Sequence, residues 1–265
     1  MFELKIGINQ CSNELYHEDV KFLSSSDYKL LLKNPKEFYD KKFTIQAPRP
    51  ENPAFTQGSG VHTLILEPHL FNSEFAIFDG MRKQGAIWEA FKAENKKQYI
   101  LSKPQHMQCL SWVSGYKKNK LAVELISGGL SEHTVAQIYN DVPTKVRTDY
   151  VNLDKGYVVD IKTSSFPVDR DSFKQTVAQW DYGLSAALYC DVLKQFYGKD
   201  FEFYFVAISK IDGQCEVYKL SEATRSQGLM KIGQAISIYK SCLLSGSWVK
   251  SESGLYVPNE EILEV

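Results

Sequence analysis

Cysteine is scarce and scattered: Cys11, Cys109, Cys190, Cys215 and Cys242 are the five, with no CxxC pair among them. An odd number at such wide spacing argues against a disulfide framework, a zinc ribbon or an iron–sulfur cluster, and leaves buried reduced thiols as the default. Long apolar runs are missing as well. No stretch approaches the roughly 18 residues of a membrane span, and "MFELKIGINQ" lacks a basic leader followed by an apolar run. The expectation is a soluble, cytoplasmic chain with no membrane partner. An excess of charge of one sign is also absent. Lys and Arg number 31 against 32 Asp and Glu, so no global positive field draws nucleic acid, and any polyanion must be held by local clusters. There is no GxxxxGK[ST] phosphate loop, hence no encoded ATP-driven unwinding, and there are no internal repeats or low-complexity tracts.

What is present suffices for a large core: 265 residues, 43% apolar and 13% aromatic. Lysines gather in "LLLKNPKEFYDKKF" (Lys33, Lys36, Lys41, Lys42), in "KAENKKQYILSK" (Lys92, Lys96, Lys97, Lys103) and in "YKKNK" (Lys117, Lys118, Lys120). Each run alone reads as a solvated helix face or loop, and only together do they suggest a polyanion track.

"FLSSSDYKLLLKNPKEFYDKKF" has a Ser/Asp cap, apolar spacing near 3.6 and a break at Pro35, which predicts two short helices. "NPAFTQGSGVHTLILEP" carries glycines into an apolar helix that stops near Pro68, with His62 in its first turns. From about residue 80 to 127 the pattern is helical and lysine-rich. The period then changes. "EHTVAQIYN", "TKVRTDYVNL" and "GYVVDIKTS" alternate or are β-branched and predict three antiparallel strands. Phe173, Val177, Trp180, Leu184, Leu188 and Val192 recur at three or four residues and predict one long amphipathic helix ending at Gly198. Two further strands, "FEFYFVAIS" and "QCEVYKL", and a capped closing helix complete a mixed α/β (α+β) domain.

Asp160 and Lys162 stand two residues apart on one strand and so share a face, while Ile161 points into the opposite layer. Asp149 joins them if the preceding strand pairs with 149 opposite 160, as an unbulged two- or four-residue turn at Leu153 to Gly156 would produce; a three-residue loop would need a bulge. Two carboxylates about 5 Å apart repel unless a cation lies between them or one stays protonated, so the pairing invites a divalent metal, and oxygen ligands favour Mg²⁺ or Mn²⁺. A neighbouring lysine can hold a water and offset charge on a phosphate, as phosphodiester hydrolysis requires. The plain alternative is an exposed strand face on which Lys162 is a cross-strand salt-bridge partner. Against it stands the apolar run "YVVDIK", where an unpaired Asp or Lys is costly. Lys145 and Arg147 share the parity of Asp149 and either contact phosphate or act as counter-ions to the carboxylates. Tyr182 and Tyr189 either pack on the sheet or touch substrate.

These segments in this order resemble the PD-(D/E)XK nucleases, specifically the RecB-like branch typified by exonuclease VIII-type phage recombination enzymes. "GSGVHTLILEP" resembles that branch's helix with a metal-binding histidine, "SEHTV" its glutamate-bearing strand, "KVRTDY" the strand of the first metal aspartate and "VVDIKTS" the D-x-K strand. "LSSSDYKLLLKNPKEFY" resembles the N-terminal helix of the exonuclease VIII group, and the likeness spans about residues 22 to 245. The resemblance implies a restriction-endonuclease-like core over about 59–250 with a helical N-terminal extension over about 1–58, forming one nuclease domain. It implies that His62, Asp149, Asp160 and the main-chain carbonyl of Ile161 hold the metal, that Lys162 positions or activates the attacking water, and that Glu132 is an outer or additional metal group. Thr163, which follows the D-x-K, joins the implied DNA contacts. One residue departs from the pattern: Ser185 stands where members of the branch commonly carry a glutamine, which puts any contact through that amide in doubt.

The implied activity is Mg²⁺-dependent digestion of linear double-stranded DNA from an end, 5′ to 3′, supplying single strands for recombination. The implied partners are DNA ends, further copies of the chain in a ring and a single-strand annealing protein, in a bacterial or phage-infected cell. The alternatives are a catalytically inactive DNA-binding subunit of the same fold and an endonuclease.

Overall fold

The computed structural model describes residues 3–44, 53–80, 82–95 and 97–248; Lys96 lies outside them. The N-terminal segment is not solely helical. It opens with β1 (Gly7–Asn9), which pairs antiparallel at the edge of the main sheet, and continues into α1 (Asn13–Glu18). α2 (Ser25–Lys33) begins with the Ser24/Asp27 capping box, and α3 (Pro35–Tyr39) restarts at Pro35 under the Asn34 cap, so the two short helices break where proline forbids continuation. α4 (Pro53–Leu66) starts earlier than the glycines suggested. His62 is therefore its tenth residue and lies in its later turns.

The sequence pattern showed neither of two short strands, one before residue 80 and one inside the stretch expected to be helical. α5 (Phe71–Glu74) leads into β2 (Phe75–Phe78), and α6 (Ala86–Glu94) into β3 (Tyr99–Ser102), the strands pairing parallel as a separate two-stranded sheet. α7 (Lys103–Lys118), capped by Ser102 and Gln105, and α8 (Lys120–Leu125) follow. β4 (Leu130–Tyr139), β5 (Val142–Asn152) and β6 (Tyr157–Ser164) are the three predicted antiparallel strands. The predicted long helix is two, α9 (Arg170–Gln179) and α10 (Tyr182–Tyr197), separated by Asp181 in the left-handed region at φ 52°. Trp180, placed by its spacing on the core face, sits at that corner and is 53% exposed. β7 (Glu202–Ser209) lies parallel to β6, β8 (Cys215–Lys219) antiparallel to β7, and α11 (Glu222–Ser245) is the last helix among the described residues.

The main sheet has the order β1-β4-β5-β6-β7-β8 and is covered on both faces. α2, α9, α10 and α11 bury Val158, Phe203 and Phe205 on one face, while α4, α7 and α8 bury Val159, Ile161 and Val206 on the other. Such a double covering explains why β6 reads as a nearly continuous apolar run. Gly183 and Gly228 let α10 and α11 touch: a Cβ on Gly228 would stand 2.5 Å from the Gly183 carbonyl oxygen. That contact fixes the helix carrying Tyr182 and Tyr189 over the sheet. Among the described residues no helix is long and apolar enough to cross a membrane.

Candidate metal centre and substrate cavity

Asp149 lies where two ladders break. The β5–β6 turn has four residues, with Asn152 paired to Tyr157 and Gly156 at φ 71°, so the register carries Asp149 opposite Asp160. The paired ladder ends one step earlier, at Tyr150–Val159, and the Asp149 carboxylate takes the Ile161 N–H at 2.7 Å in place of a backbone acceptor. On the other side, the β4–β5 register carries Glu132 opposite Asp149, and that pair too is skipped. Glu132 adopts φ 49°, a left-handed conformation that costs a non-glycine residue of the order of 1 kcal/mol. Three acids thus stand in one row across three strands.

Each acid has one basic or imidazole partner. Arg147 Nε donates to Glu132 Oε2 at 2.5 Å, His62 Nδ1 lies 3.5 Å from Asp149 Oδ2, and the Lys162 ammonium pairs with Asp160 Oδ2. α4 brings His62 to the row because its neighbour Val61 is fully buried and because Gly60 fits against Cys109, Leu101 and Phe75. One ligand atom each from His62, Glu132 and Asp149 lie within 4.8 Å of one another. Asp160 stays outside that group, held by Lys162.

The electrostatics fit a cation. Burial, then the charge of Asp149, pushes the Glu132 carboxyl above its usual range against the pull of Arg147 and His62. Burial likewise pushes Asp160 up, with Asp149 adding to it and Lys162 opposing. Burial alone would lower Lys162, but the Asp160 and Asp149 carboxylates outweigh it and hold the ammonium above its ordinary value. Crowded carboxylates beside an imidazole nitrogen form a donor set that a divalent metal cation would satisfy.

Beside this row, on the α10 side, a cavity of about 170 Å³ is lined by Ser25, Lys29, Asp160, Lys162, Tyr182, Ser185 and Tyr189 among others. Lys162 Nζ lies 5.0 Å from the Tyr182 ring centroid. Burial pushes the Tyr189 phenol up to about 12, with the nearby Asp160 charge adding to it and a hydrogen bond to Ser25 opposing. Thr163 lies beyond Lys162, where a Cβ on Gly58 of α4 would meet its Oγ1 at 3.7 Å.

Residues 24–255 match the family described as a PDDEXK-like domain of unknown function, DUF3799. The chain belongs to that family. Among solved structures it is similar to a candidate exonuclease from Eubacterium rectale, with a TM-score of 0.64 and 14% identity over 88% of this chain and 87% of that one. At that identity the likeness speaks for the fold, which is restriction-endonuclease-like with a mixed sheet between helices. A second structure, SSO0001, covers 86% of this chain and 97% of its own at 14% identity, but its TM-score of 0.30 carries no argument. No curated protein matches the chain.

Within this PDDEXK-like frame, two residues assigned to DNA on strand parity have other partners. Lys145 is 2% exposed; its ammonium donates to the carbonyl oxygens of Tyr16 at 2.5 Å and Asp19 at 2.8 Å, and it pairs with the Asp19 carboxylate at 3.4 Å. It fastens the N-terminal segment to β5 and is closed off from substrate. The physical reason is that α1 covers this end of the strand, which parity alone does not reveal. Arg147 takes the counter-ion alternative, bonding Glu132 and the carbonyls of Cys11 and Ser12. Several clustered lysines are likewise engaged locally: Lys36 and Lys41 pair along their own helix, Lys42 with Asp27, and Lys103 with Asp79. Lys29 and Ser25 were not picked out from the sequence. Nothing in it signals that α2 folds back onto the D-x-K strand.

Replacing Lys145 with alanine leaves Asp19 as a buried carboxylate without its cation. The expected loss is about 3–5 kcal/mol in urea unfolding, with much of it recovered in Lys145→Met combined with Asp19→Leu. A loss below about 1 kcal/mol would mean that the pair is dispensable.

Proposed function

We propose that this chain is a metal-dependent deoxyribonuclease that digests linear double-stranded DNA from an end, 5′ to 3′. The observation that carries the reading is the row Glu132, Asp149 and Asp160, lifted out of two ladders and completed by His62 and Lys162. The ligand set assigned to a divalent cation is His62, Asp149, Asp160 and the Ile161 carbonyl. The ligand atoms of His62, Asp149 and Glu132 already stand together, Asp160 would exchange its bond to Lys162 for the ion, and the cation when bound would supply Lewis-acid polarisation of a phosphoryl oxygen. Lys162, held as an ammonium by two carboxylates, is built to donate hydrogen bonds to a water or phosphate oxygen and to offset charge there. Arg147 holds Glu132 while also bonding the carbonyls of Cys11 and Ser12. Tyr182 and Tyr189 line the cavity that holds Lys162, whereas Thr163, implied as a DNA contact, faces Gly58 of α4 on the other side of the strand and is not part of that lining.

End-dependence, polarity and a role in supplying single strands follow the exonuclease VIII resemblance, and the description of the Eubacterium rectale protein as an exonuclease agrees with the first of these. A ring of copies and a single-strand annealing partner belong to the same reading. In the absence of a phosphate loop, enclosing the DNA would have to supply processivity.

The test is end-labelled linear duplex and covalently closed circles, each incubated with Mg²⁺ and again with EDTA. Nucleotide release from linear DNA alone, abolished by EDTA, is the expected result. Cut circles would make the chain an endonuclease. DNA retention without release would leave only a binding subunit.

A further inference from the structure

Lys29 enters a cavity that already holds a lysine. From α2 its Nζ lies 5.5 Å from the centroid of Tyr182, the ring that Lys162 approaches to 5.0 Å, so two ammonium groups share one aromatic ring. The Asp160 carboxylate of this cavity is bonded to Lys162, and Asp181, the other acid acting on Lys29, is bonded to Lys231. Lys29 donates to the Trp180 carbonyl at 3.0 Å, and among the described residues it has no carboxylate partner. Burial and the charge of Lys162 hold its pKa down to about 8, so a cation is maintained here at a cost that an incoming anion relieves. Ser185, short where the resembling enzymes carry glutamine, leaves room for that anion and offers a hydroxyl to it.

We infer that Lys29, with the hydroxyls of Ser185 and Tyr182, forms a phosphate-binding subsite that holds a backbone phosphate beside the one Lys162 serves. The assignment deepens the nuclease reading and rests on it for the identity of the phosphate as part of DNA. A purely architectural role is the competitor: Lys29 ties α2 to the α9–α10 corner through the Trp180 carbonyl.

Two measurements separate these. Lys29→Met keeps the aliphatic stem, and Lys29→Arg keeps the charge. Binding of a short duplex in Ca²⁺ is followed against KCl concentration, and binding of thymidine 5′-monophosphate in EDTA by calorimetry. Lys29→Met is expected to weaken duplex binding about tenfold, to reduce the slope of log affinity against log salt by roughly 0.9, and to raise KM far more than it lowers kcat. Lys29→Arg should restore most of the affinity. A lower Tm with an unchanged salt slope would identify the architectural role and overturn the subsite. If Lys29→Met does not fold, Ser185→Asp places a fixed negative charge in the subsite; nucleotide affinity unchanged by that substitution would also overturn it. Wild-type protein that binds the nucleotide through Lys29 but releases nothing from linear DNA would sink the nuclease reading and leave the phosphate subsite standing.

Discussion

Replacing Lys162 with alanine is expected to lower kcat by roughly 10²–10³-fold, equivalent to about 3–4 kcal/mol of barrier, while affinity for duplex DNA changes little. The ammonium is only part-exposed, bonded to Asp160 and aimed across the Tyr182 ring. It therefore arrives at the reacting phosphate already oriented, and a donor fixed beforehand loses nothing to reorganisation when charge develops. Lys162→Arg should not rescue: a planar guanidinium is too wide for a cavity of about 170 Å³ that also holds Lys29, and it would displace one of the two tyrosines. Single-turnover cleavage with metal and DNA preassembled reads the chemical step directly. A rate within about threefold of wild type would remove Lys162 from the chemistry and return it to the salt-bridge role that a plain strand face would give it.

The row of acids was legible in the sequence to an unequal degree. Asp149 and Asp160 face one another because period-two alternation and a four-residue turn determine register, and both are local properties of residues 146–164. Glu132 could be placed on the preceding strand, but its swing toward Asp149 depends on a left-handed backbone that no alternation reveals. The same limit hid the break at Asp181, where apolar spacing runs through a corner and puts Trp180 on the wrong side. β2 and β3 were lost because four residues cannot display a period, and their parallel partners are 24 residues apart. Lys145 is the instructive failure. It has the parity of Asp149, yet its partner Asp19 lies 126 residues away, and tertiary covering of a strand end leaves no local mark. Lys29 escaped for the same reason.

Removing one charge from the row should separate stability from function. In the metal-free protein Glu132 and Asp160 have raised pKa values, through burial first and Asp149 in addition. A carboxyl raised on folding binds its proton more tightly in the native state, so the stability it contributes is complete below its unfolded pKa and is lost as pH rises through the folded value. The metal-free protein should therefore lose Tm as pH rises above about 4, the ordinary carboxyl value, and Mg²⁺ should restore it by binding the native state alone. Asp149→Asn keeps the acceptor for the Ile161 N–H but removes the charge that raises both neighbours. Three results should follow together: a shallower decline of metal-free Tm with pH, a Tm near neutrality at or above wild type, and loss of most of the Mg²⁺-induced increase. Cleavage should fall by about 10³-fold or more, since the substitution takes an anionic ligand from the cation. Thermal scans with EDTA and with Mg²⁺ across this pH range check all three. A wild-type Tm indifferent to Mg²⁺, with Asp149→Asn less stable than wild type at neutral pH, would mean that the three acids are stabilised by Arg147, His62 and Lys162 alone and that the row is not a cation site.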